Sequence, residues 1–134
     1  MQRRFINIYN MLVIKNTFTS FSVNNLDAAN DFYAKVLGLR VTRTKEGLSV
    51  KAPNNDIFIY PKPNHEPATY TALNFQVQDI DVAVDSLTEQ GIHFLQYDGD
   101  IKTDARGIFR DNGPTIAWFT DPAGNILSVV ENKS

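Results

Sequence analysis

The chain has 134 residues, of which 43% are hydrophobic and 21% charged, a balance typical of one globular domain or of two small halves. The net charge of −2, without a run of Lys and Arg, gives no electrostatic reason to expect nucleic acid or a membrane as a partner. The absence of cysteine excludes disulfides, a thiolate nucleophile and zinc–thiolate sites, and it favours a cytoplasmic protein.

The first ten residues show no periodic pattern. They include two arginines, but no long apolar run and no small-residue cleavage site follow, so a secretory signal is not expected. Met11 stands directly before the first periodic segment, and either Met1 or Met11 fits as the start of the protein. We predict that residues 1–11 form a disordered extension. No window approaches the roughly 18 apolar residues that a membrane span needs.

The next part of the chain indicates a strand, a helix and three strands. Residues 18–23 alternate in polarity, which is typical of a strand with two different faces. Asn25 is placed to cap the helix that follows, and Gly38 is placed to end it. Further strands are predicted over residues 39–44, 48–52 and 57–60.

The second part repeats this order after a linker. Residues 61–67 contain three prolines and cannot form a regular interior element. A strand follows over residues 72–77, then a helix that begins after Asp79 and ends at Gly91. We predict strands over residues 92–97, 115–120 and 126–130, and a mobile polar loop over residues 98–113. The predicted divisions are a first module over 12–63, a linker over 64–69, a second module over 70–131 and a tail over 132–134.

The two halves are related by a repeat with an offset of 54 positions, which places Val23 on Val77 and Asp27 on Asp81. Each half has the order β-α-β-β-β. Such a half buries one face of its sheet and covers the other by pairing with its twin or with a second chain. We therefore predict an α+β fold, in which two βαβββ modules form a curved mixed sheet, an incomplete barrel, around a cleft.

Three phrases of the sequence resemble the vicinal oxygen chelate superfamily, which includes glyoxalases, bleomycin-resistance proteins, fosfomycin-resistance enzymes and extradiol dioxygenases. The resemblance covers about residues 12–131 and implies paired βαβββ modules, commonly in a homodimer, so we expect a homodimer. The phrases are the repeated V-x-(N/D)-(L/I)-D-x-A signature at Val23–Ala29 and Val77–Ala83, FYAKVLGLRV at 32–41 and FTDPAGNIL at 119–127.

The resemblance also implies where a divalent ion would bind. Enzymes of the superfamily hold it with His or Gln from the opening strands of the modules and with Glu from the closing strands. The corresponding positions carry Phe18 and Ala72, and Ser128 with Phe58 or Tyr60. Phe and Ala offer no donor atom, and a lone serine hydroxyl is a weak ligand. We therefore predict no metal site of this type and no cofactor.

The remaining residues favour a binding surface. Aromatic side chains in a cleft stack on planar or cationic ligands, although each of them also suits core packing. Arg106 in the polar loop is a candidate to bind an anionic group. The spacing indicates no Ser–His–Asp grouping, phosphate-binding loop or pair of carboxylates. The predicted cavity wall consists of Phe18, Tyr60, Ala72, Asn74, Tyr97, Arg106, Trp118 and Ser128.

Three functions fit these observations. The first is metal-independent binding of a small organic molecule in the aromatic-lined cavity, for which the resemblance offers sequestration by bleomycin-resistance proteins as a precedent. The second is an isomerase, lyase or dioxygenase that uses other residues or a metal at an unusual place. The third is a non-catalytic dimer with a filled cavity. Structural positions are predicted for His93 on a strand, His65 in the solvated linker and Glu131 at a solvated strand end.

Overall fold

The computed structural model describes residues 11–111 and 113–132. The predicted N-terminal extension, apart from Met11, lies outside the described residues, and so do the last two residues of the predicted tail. The first module contains β1 (Phe18–Val23), α1 (Leu26–Asp31) with a π-helical turn (Phe32–Val36), β2 (Arg40–Arg43), β3 (Leu48–Ala52) and β4 (Asn55–Pro61). The second contains β5 (Thr71–Gln76), α2 (Ile80–Glu89), β6 (Ile108–Phe109), β7 (Thr115–Thr120) and β8 (Ile126–Glu131).

Each module builds one four-stranded mixed sheet, and the two sheets have the same topology. The strand orders are β1-β4-β3-β2 and β5-β8-β7-β6. The first and last strands of each module pair in parallel, and the other neighbours pair antiparallel. The predicted α+β class with two βαβββ modules is therefore confirmed, and neither sheet closes into a barrel.

The helix ends follow the predicted capping residues. The Asn25 side chain accepts a hydrogen bond from the Ala28 N–H at 3.0 Å, and the Asp79 carboxylate accepts two backbone N–H groups at the start of α2. Gly38, with φ +72°, and Gly91, with φ +94°, follow the helices in the left-handed conformation that glycine tolerates best.

One predicted strand is wrong. Residues 92–97, all of them described, form no strand, and the second strand of this module is instead the short β6. Ile92 and Phe94 still pack against the core, and the Leu95 N–H donates to the Trp118 carbonyl at 2.8 Å. The segment therefore places apolar side chains against the core, whereas its backbone does not form a hydrogen-bonded ladder.

A single hydrophobic core lies on one face of both sheets, beneath the helices. Each module contributes alternate residues of its strands, and the rings of Phe32 and Phe119 meet between the modules with centroids 6.4 Å apart. Because the core is shared, the modules do not form separate hydrophobic units. The strand residues buried in it include Leu48, Val50, Ile57, Ile59, Leu73, Ala117, Phe119, Leu127 and Val129.

A buried carboxylate joins the two modules. The hydroxyl of the fully buried Tyr33 donates to Asp121 Oδ2 at 2.7 Å, and Asp121 lies in the β7–β8 turn of the other module. The same carboxylate accepts the Ala123 and Asn125 N–H groups at 2.9 Å and the Asn125 side-chain amide at 3.0 Å. Burial, and then the nearby charge of Asp121, raises the pKa of Tyr33 far above its usual range, so the hydroxyl remains a donor.

Two further contacts cross this junction. The Asn125 side chain donates to the Ser22 carbonyl at 2.9 Å, at the end of β1. His65 Nε2 lies 3.1 Å from the Ala123 carbonyl, and His65 Nδ1 lies 2.6 Å from Ser22 Oγ. Because a carbonyl only accepts, Nε2 donates, and in the neutral ring Nδ1 accepts the Ser22 hydroxyl. The expectation that His65 is solvated is wrong, since it is half-buried and connects the linker to both modules.

Removing the Tyr33 hydroxyl tests this junction. Tyr33→Phe leaves the buried Asp121 carboxylate with one donor fewer, and hydrogen bonds to charged groups contribute about 1.5–3 kcal/mol. We expect a loss of this size in the free energy of unfolding, measured by urea denaturation. Tyr70→Phe is the matched control, because Tyr70 is 70% exposed and should change stability by no more than about 0.5 kcal/mol. Equal effects of the two substitutions would contradict the proposed role.

Candidate functional site

The face of each sheet opposite the core carries most of the predicted wall residues. Trp118 alternates with the buried Ala117 and Phe119 along β7, and Ser128 alternates with buried residues along β8. In the first module, Phe18 is 64% exposed and Tyr60 38% exposed. The aromatic positions therefore lie outside the core, on surfaces that a ligand can reach. We call this surface the outer face.

The outer face of the first sheet contains a cavity of about 480 Å³ with an aromatic wall. Lys51 Nζ lies 3.0 Å from Asp56 Oδ1, so an ion pair borders the aromatic side chains. The hydrogen bond from Lys51 holds the pKa of Asp56 below its ordinary value. The cavity is lined by Phe18, Thr44, Glu46, Ser49, Lys51, Asp56, Ile57 and Phe58.

The outer face of the second sheet carries an aromatic cluster around Trp118. Tyr97 meets the indole edge to face, with centroids 5.4 Å apart and an interplanar angle of 87°. The ring centroid of Phe109 lies 6.3 Å from that of Trp118, with an interplanar angle of 39°. Of the predicted wall aromatics, Tyr97 contacts Trp118, whereas Phe18 and Tyr60 belong to strands of the first sheet; Phe109 was missed. It lies within the polar segment 98–113, where the few apolar residues give no periodic signal.

Asn74 and Ser128 form a pair on the outer face. The Ser128 hydroxyl donates to Asn74 Oδ1 at 2.5 Å, and Ser128 is fully buried while Asn74 is exposed. Asn74 also lines a cavity of about 430 Å³ shared with the β3–β4 turn of the first module, residues 52–55. The structure therefore brings these two predicted wall residues together at the junction of the modules.

The positions that the superfamily uses for metal ligands do not fit a divalent ion here. Phe18 and Phe58 lack donor atoms, and the alternative Tyr60 and Ser128 offer only hydroxyl oxygens, of which that of Ser128 donates its proton to Asn74 Oδ1. Ala72 is the extra residue of a β-bulge, since the β5–β8 register shifts between its neighbours. Within the described residues, no group of three or more His, Cys, Asp or Glu side chains is arranged to hold a metal ion.

Arg106 lies with α2 and not with the other wall residues. Its guanidinium donates to Asp81 Oδ1 at 2.6 Å, to the Asp81 carbonyl at 3.2 Å and to Asp85 Oδ1 at 2.5 Å. Arg110 also donates to Asp81 at 2.6 Å. These bonds tie the 98–113 loop to α2, on the core side of the second sheet. We therefore remove Arg106 from the wall of the candidate site, because its Nη1 and Nη2 atoms bind Asp81 and Asp85 on α2.

The family follows from the sequence as a whole. The profile of the glyoxalase/bleomycin resistance protein/dioxygenase superfamily matches residues 16–129, and the chain belongs to this superfamily. The predicted resemblance is thereby confirmed. No curated protein matches the chain at a significant level.

Solved structures establish the same fold. The glyoxalase family protein from Enterococcus faecalis is 23% identical over 87% of this chain and 98% of its own, with a TM-score of 0.64. The fosfomycin resistance protein FosX from Listeria monocytogenes is 13% identical over 91% and 96%, with a TM-score of 0.68. TnmS3, an antibiotic binding protein from Streptomyces sp. CB03234, is 22% identical over 91% and 100%, with a TM-score of 0.64. Among the described residues, no helix has the length and apolar character needed to cross a membrane.

The ion cluster on α2 predicts a pH dependence of stability. Hydrogen bonds from Arg106 and then Arg110 lower the pKa of Asp81 in the folded protein. The stabilisation by the Asp81 carboxylate is therefore fully present above the pKa that Asp81 has in the unfolded chain, and it is lost as the pH falls through the pKa of the folded protein. The stability difference between wild type and Asp81→Asn, measured in urea, should be largest near neutral pH and should shrink below about pH 4.

High salt should also reduce this difference, because the groups are exposed. Glu89→Gln, at an exposed position of the same helix, is the control and should stay within about 0.5 kcal/mol of wild type at neutral pH. A difference for Asp81→Asn that is the same at pH 3 and pH 7 would show that the ion pairs do not contribute.

Proposed function

We propose that this protein binds a small planar organic molecule on the outer face of its sheets, without a metal ion. The observation that carries the proposal is the exposure of aromatic side chains at and around the positions where metal enzymes of the superfamily present ligands. Phe18 stands at one such position, and Phe58 or Tyr60 at another. Such rings offer stacking surfaces and no coordination chemistry.

The geometry of the rings favours a flat ligand. Phe58 and Tyr60 are nearly parallel, with an interplanar angle of 15° and centroids 6.5 Å apart, and together they present a continuous aromatic strip. On the second sheet, Tyr97 and Trp118 pack edge to face, which restricts the orientation of the indole. Each aromatic contact with a ligand adds about 0.5–1.5 kcal/mol beyond the area it buries, so a few of them suffice for useful affinity.

The charges beside the aromatic strip indicate polar groups on the ligand. Lys51, Asp56 and Glu46 border the same cavity and provide both signs of charge. A ligand with an aromatic body and one charged or hydrogen-bonding substituent matches this combination, because apolar walls with a few polar groups are typical of small-molecule sites. The relation to an antibiotic binding protein supports binding as the activity.

We also propose that the protein acts as a homodimer. The segment before β1 exposes Leu12 by 84%, Val13 by 81% and Ile14 by 63%, and Phe18 follows with 64%. β1 lies at the end of its sheet order, so its outer edge is open to pairing. Contiguous apolar exposure of this kind marks interaction surfaces.

Light scattering should give twice the chain mass, and a monomer at micromolar concentration would contradict the proposed homodimer.

Ligand binding is tested by a thermal-shift screen of planar aromatic compounds in the presence of EDTA. A ligand at 100 times its Kd stabilises the native state by about 2.7 kcal/mol and raises the unfolding midpoint. We expect at least one planar compound to do so, and the single tryptophan, Trp118, to report its binding by a fluorescence change. If ligand binding required a divalent ion, the proposal of metal-independent binding would be wrong.

The role of Trp118 is tested with a pair of variants. Trp118→Leu removes the stacking surface and should lower the affinity for the same compound by about 3- to 10-fold, as expected from the loss of one aromatic contact. Trp118→Phe keeps a ring and should retain most of the affinity. Calorimetry measures both, since the variants lack the fluorescent reporter. Equal affinities of the Leu and Phe variants for the compound would show that the ligand does not stack on Trp118.

A further inference from the structure

A separate cavity of about 360 Å³ lies on the core side of the sheets, between the two modules. The end of the π-helical turn forms one wall and α2 forms the opposite wall. This cavity, which we call the inter-module cavity, shares no lining residue with the 480 Å³ cavity of the outer face. It is lined by Val36, Leu37, Leu39, Pro53, Phe75, Gln76, Val77, Ala83, Ser86, Leu87, Phe119 and Val129.

The walls select for a neutral ligand. Ten of the twelve lining residues are apolar, and none of the twelve is ionisable. A charged group placed here would lose its hydration without gaining a partner. The two polar residues, Gln76 and Ser86, are exposed, whereas Phe119 and Val129 are buried. The cavity therefore has an apolar floor and a rim with hydrogen-bond donors and acceptors.

The size of the cavity also indicates a ligand. Ligand sites have volumes of about 300–1,000 Å³, and this cavity falls within that range. Leu37, Leu39 and Leu87 are half-buried here, so the shared core is incomplete at this place. An apolar molecule would supply the missing contacts.

The local backbone shapes one wall. The Leu37 N–H donates to the Phe32 carbonyl at 3.0 Å, which is a bond over five residues and not the four of an α-helix. The extra residue rotates the end of the helix by about 100° relative to a continuous α-helix. Val36 and Leu37, which both line the cavity, occupy this turn or follow it directly. Single π-helical turns occur frequently at functional sites.

We propose that the inter-module cavity is a second binding site, which takes a neutral, mainly apolar molecule with one hydrogen-bonding group. The apolar body contacts Phe119 and Val129, and the polar group meets Gln76 and Ser86. Because both modules line the cavity, the ligand stabilises their packing. The site shares no lining residue with the 480 Å³ cavity of the outer face, and it shares Pro53, Phe75 and Gln76 with the 430 Å³ cavity that Asn74 lines.

The test uses the full chain and N-phenyl-1-naphthylamine, a neutral fluorescent probe with two apolar ring systems and one N–H. We expect saturable binding, and displacement of the probe by 1-octanol at concentrations at least about tenfold lower than by octanoate. Ser86→Phe fills the rim and should weaken the probe by at least tenfold. Thr88→Phe is the matched control on an exposed position of the same helix, and it should bind as wild type does.

Each other outcome overturns the proposal. Unchanged affinity of Ser86→Phe, or equal displacement by octanol and octanoate, would exclude this cavity. Loss of probe binding in Trp118→Leu would place the probe on the outer face. A change from dimer to monomer in Ser86→Phe, seen by light scattering, would make the cavity an interface with a second copy.

A second pair of variants covers the case in which Ser86→Phe does not fold. Gln76→Glu places a charge on the exposed rim and should weaken the probe by at least tenfold, and Gln78→Glu, which does not line the cavity, should leave it unchanged. Equal affinities in this pair would also exclude the cavity. Circular dichroism confirms that each variant is folded.

Discussion

The structure depends on the buried carboxylate of Asp121. A carboxylate in this position is stable only if hydrogen bonds replace its lost water, and three of its four donors come from its own turn while the fourth is Tyr33 of the other module. The DPAGN turn provides three of these donors. Gly124 adopts φ +86° in it, and the Asn125 side chain donates to the Ser22 carbonyl of the first module. Two phrases that resemble the superfamily, FYAKVLGLRV and FTDPAGNIL, thus meet in space at this junction.

This junction has a functional consequence, because it sets how the two sheets lie relative to each other. With the helices and the shared core on one side, the residues between the core positions of every strand turn to the other side. The alternation of side chains along the strands therefore places Phe18, Tyr60 and Trp118 on the outer face. The inter-module cavity arises from the same packing, where the two halves of the core do not meet completely.

The fold alone leaves the chemistry open, since one scaffold supports many activities. In the proposed function, the activity is determined by the side chains at a few strand positions. Phe18 offers a ring and no donor atom, and the Ser128 hydroxyl donates to Asn74, which supports the proposed recognition by contact. The superfamily architecture is retained, and the proposed activity changes from metal chemistry to the recognition of a ligand by stacking and burial.

Local features were determined by the sequence by itself: the two modules, the caps Asn25 and Asp79, and the strands whose polarity alternates. These depend on neighbours a few residues apart, which a sequence displays directly. The tertiary structure alone decided that residues 92–97 form no strand, that Arg106 binds α2 and that His65 is half-buried between the modules. The physical reason is that backbone pairing, ion pairs and burial of single polar groups depend on which distant segments become neighbours, and no local pattern records that.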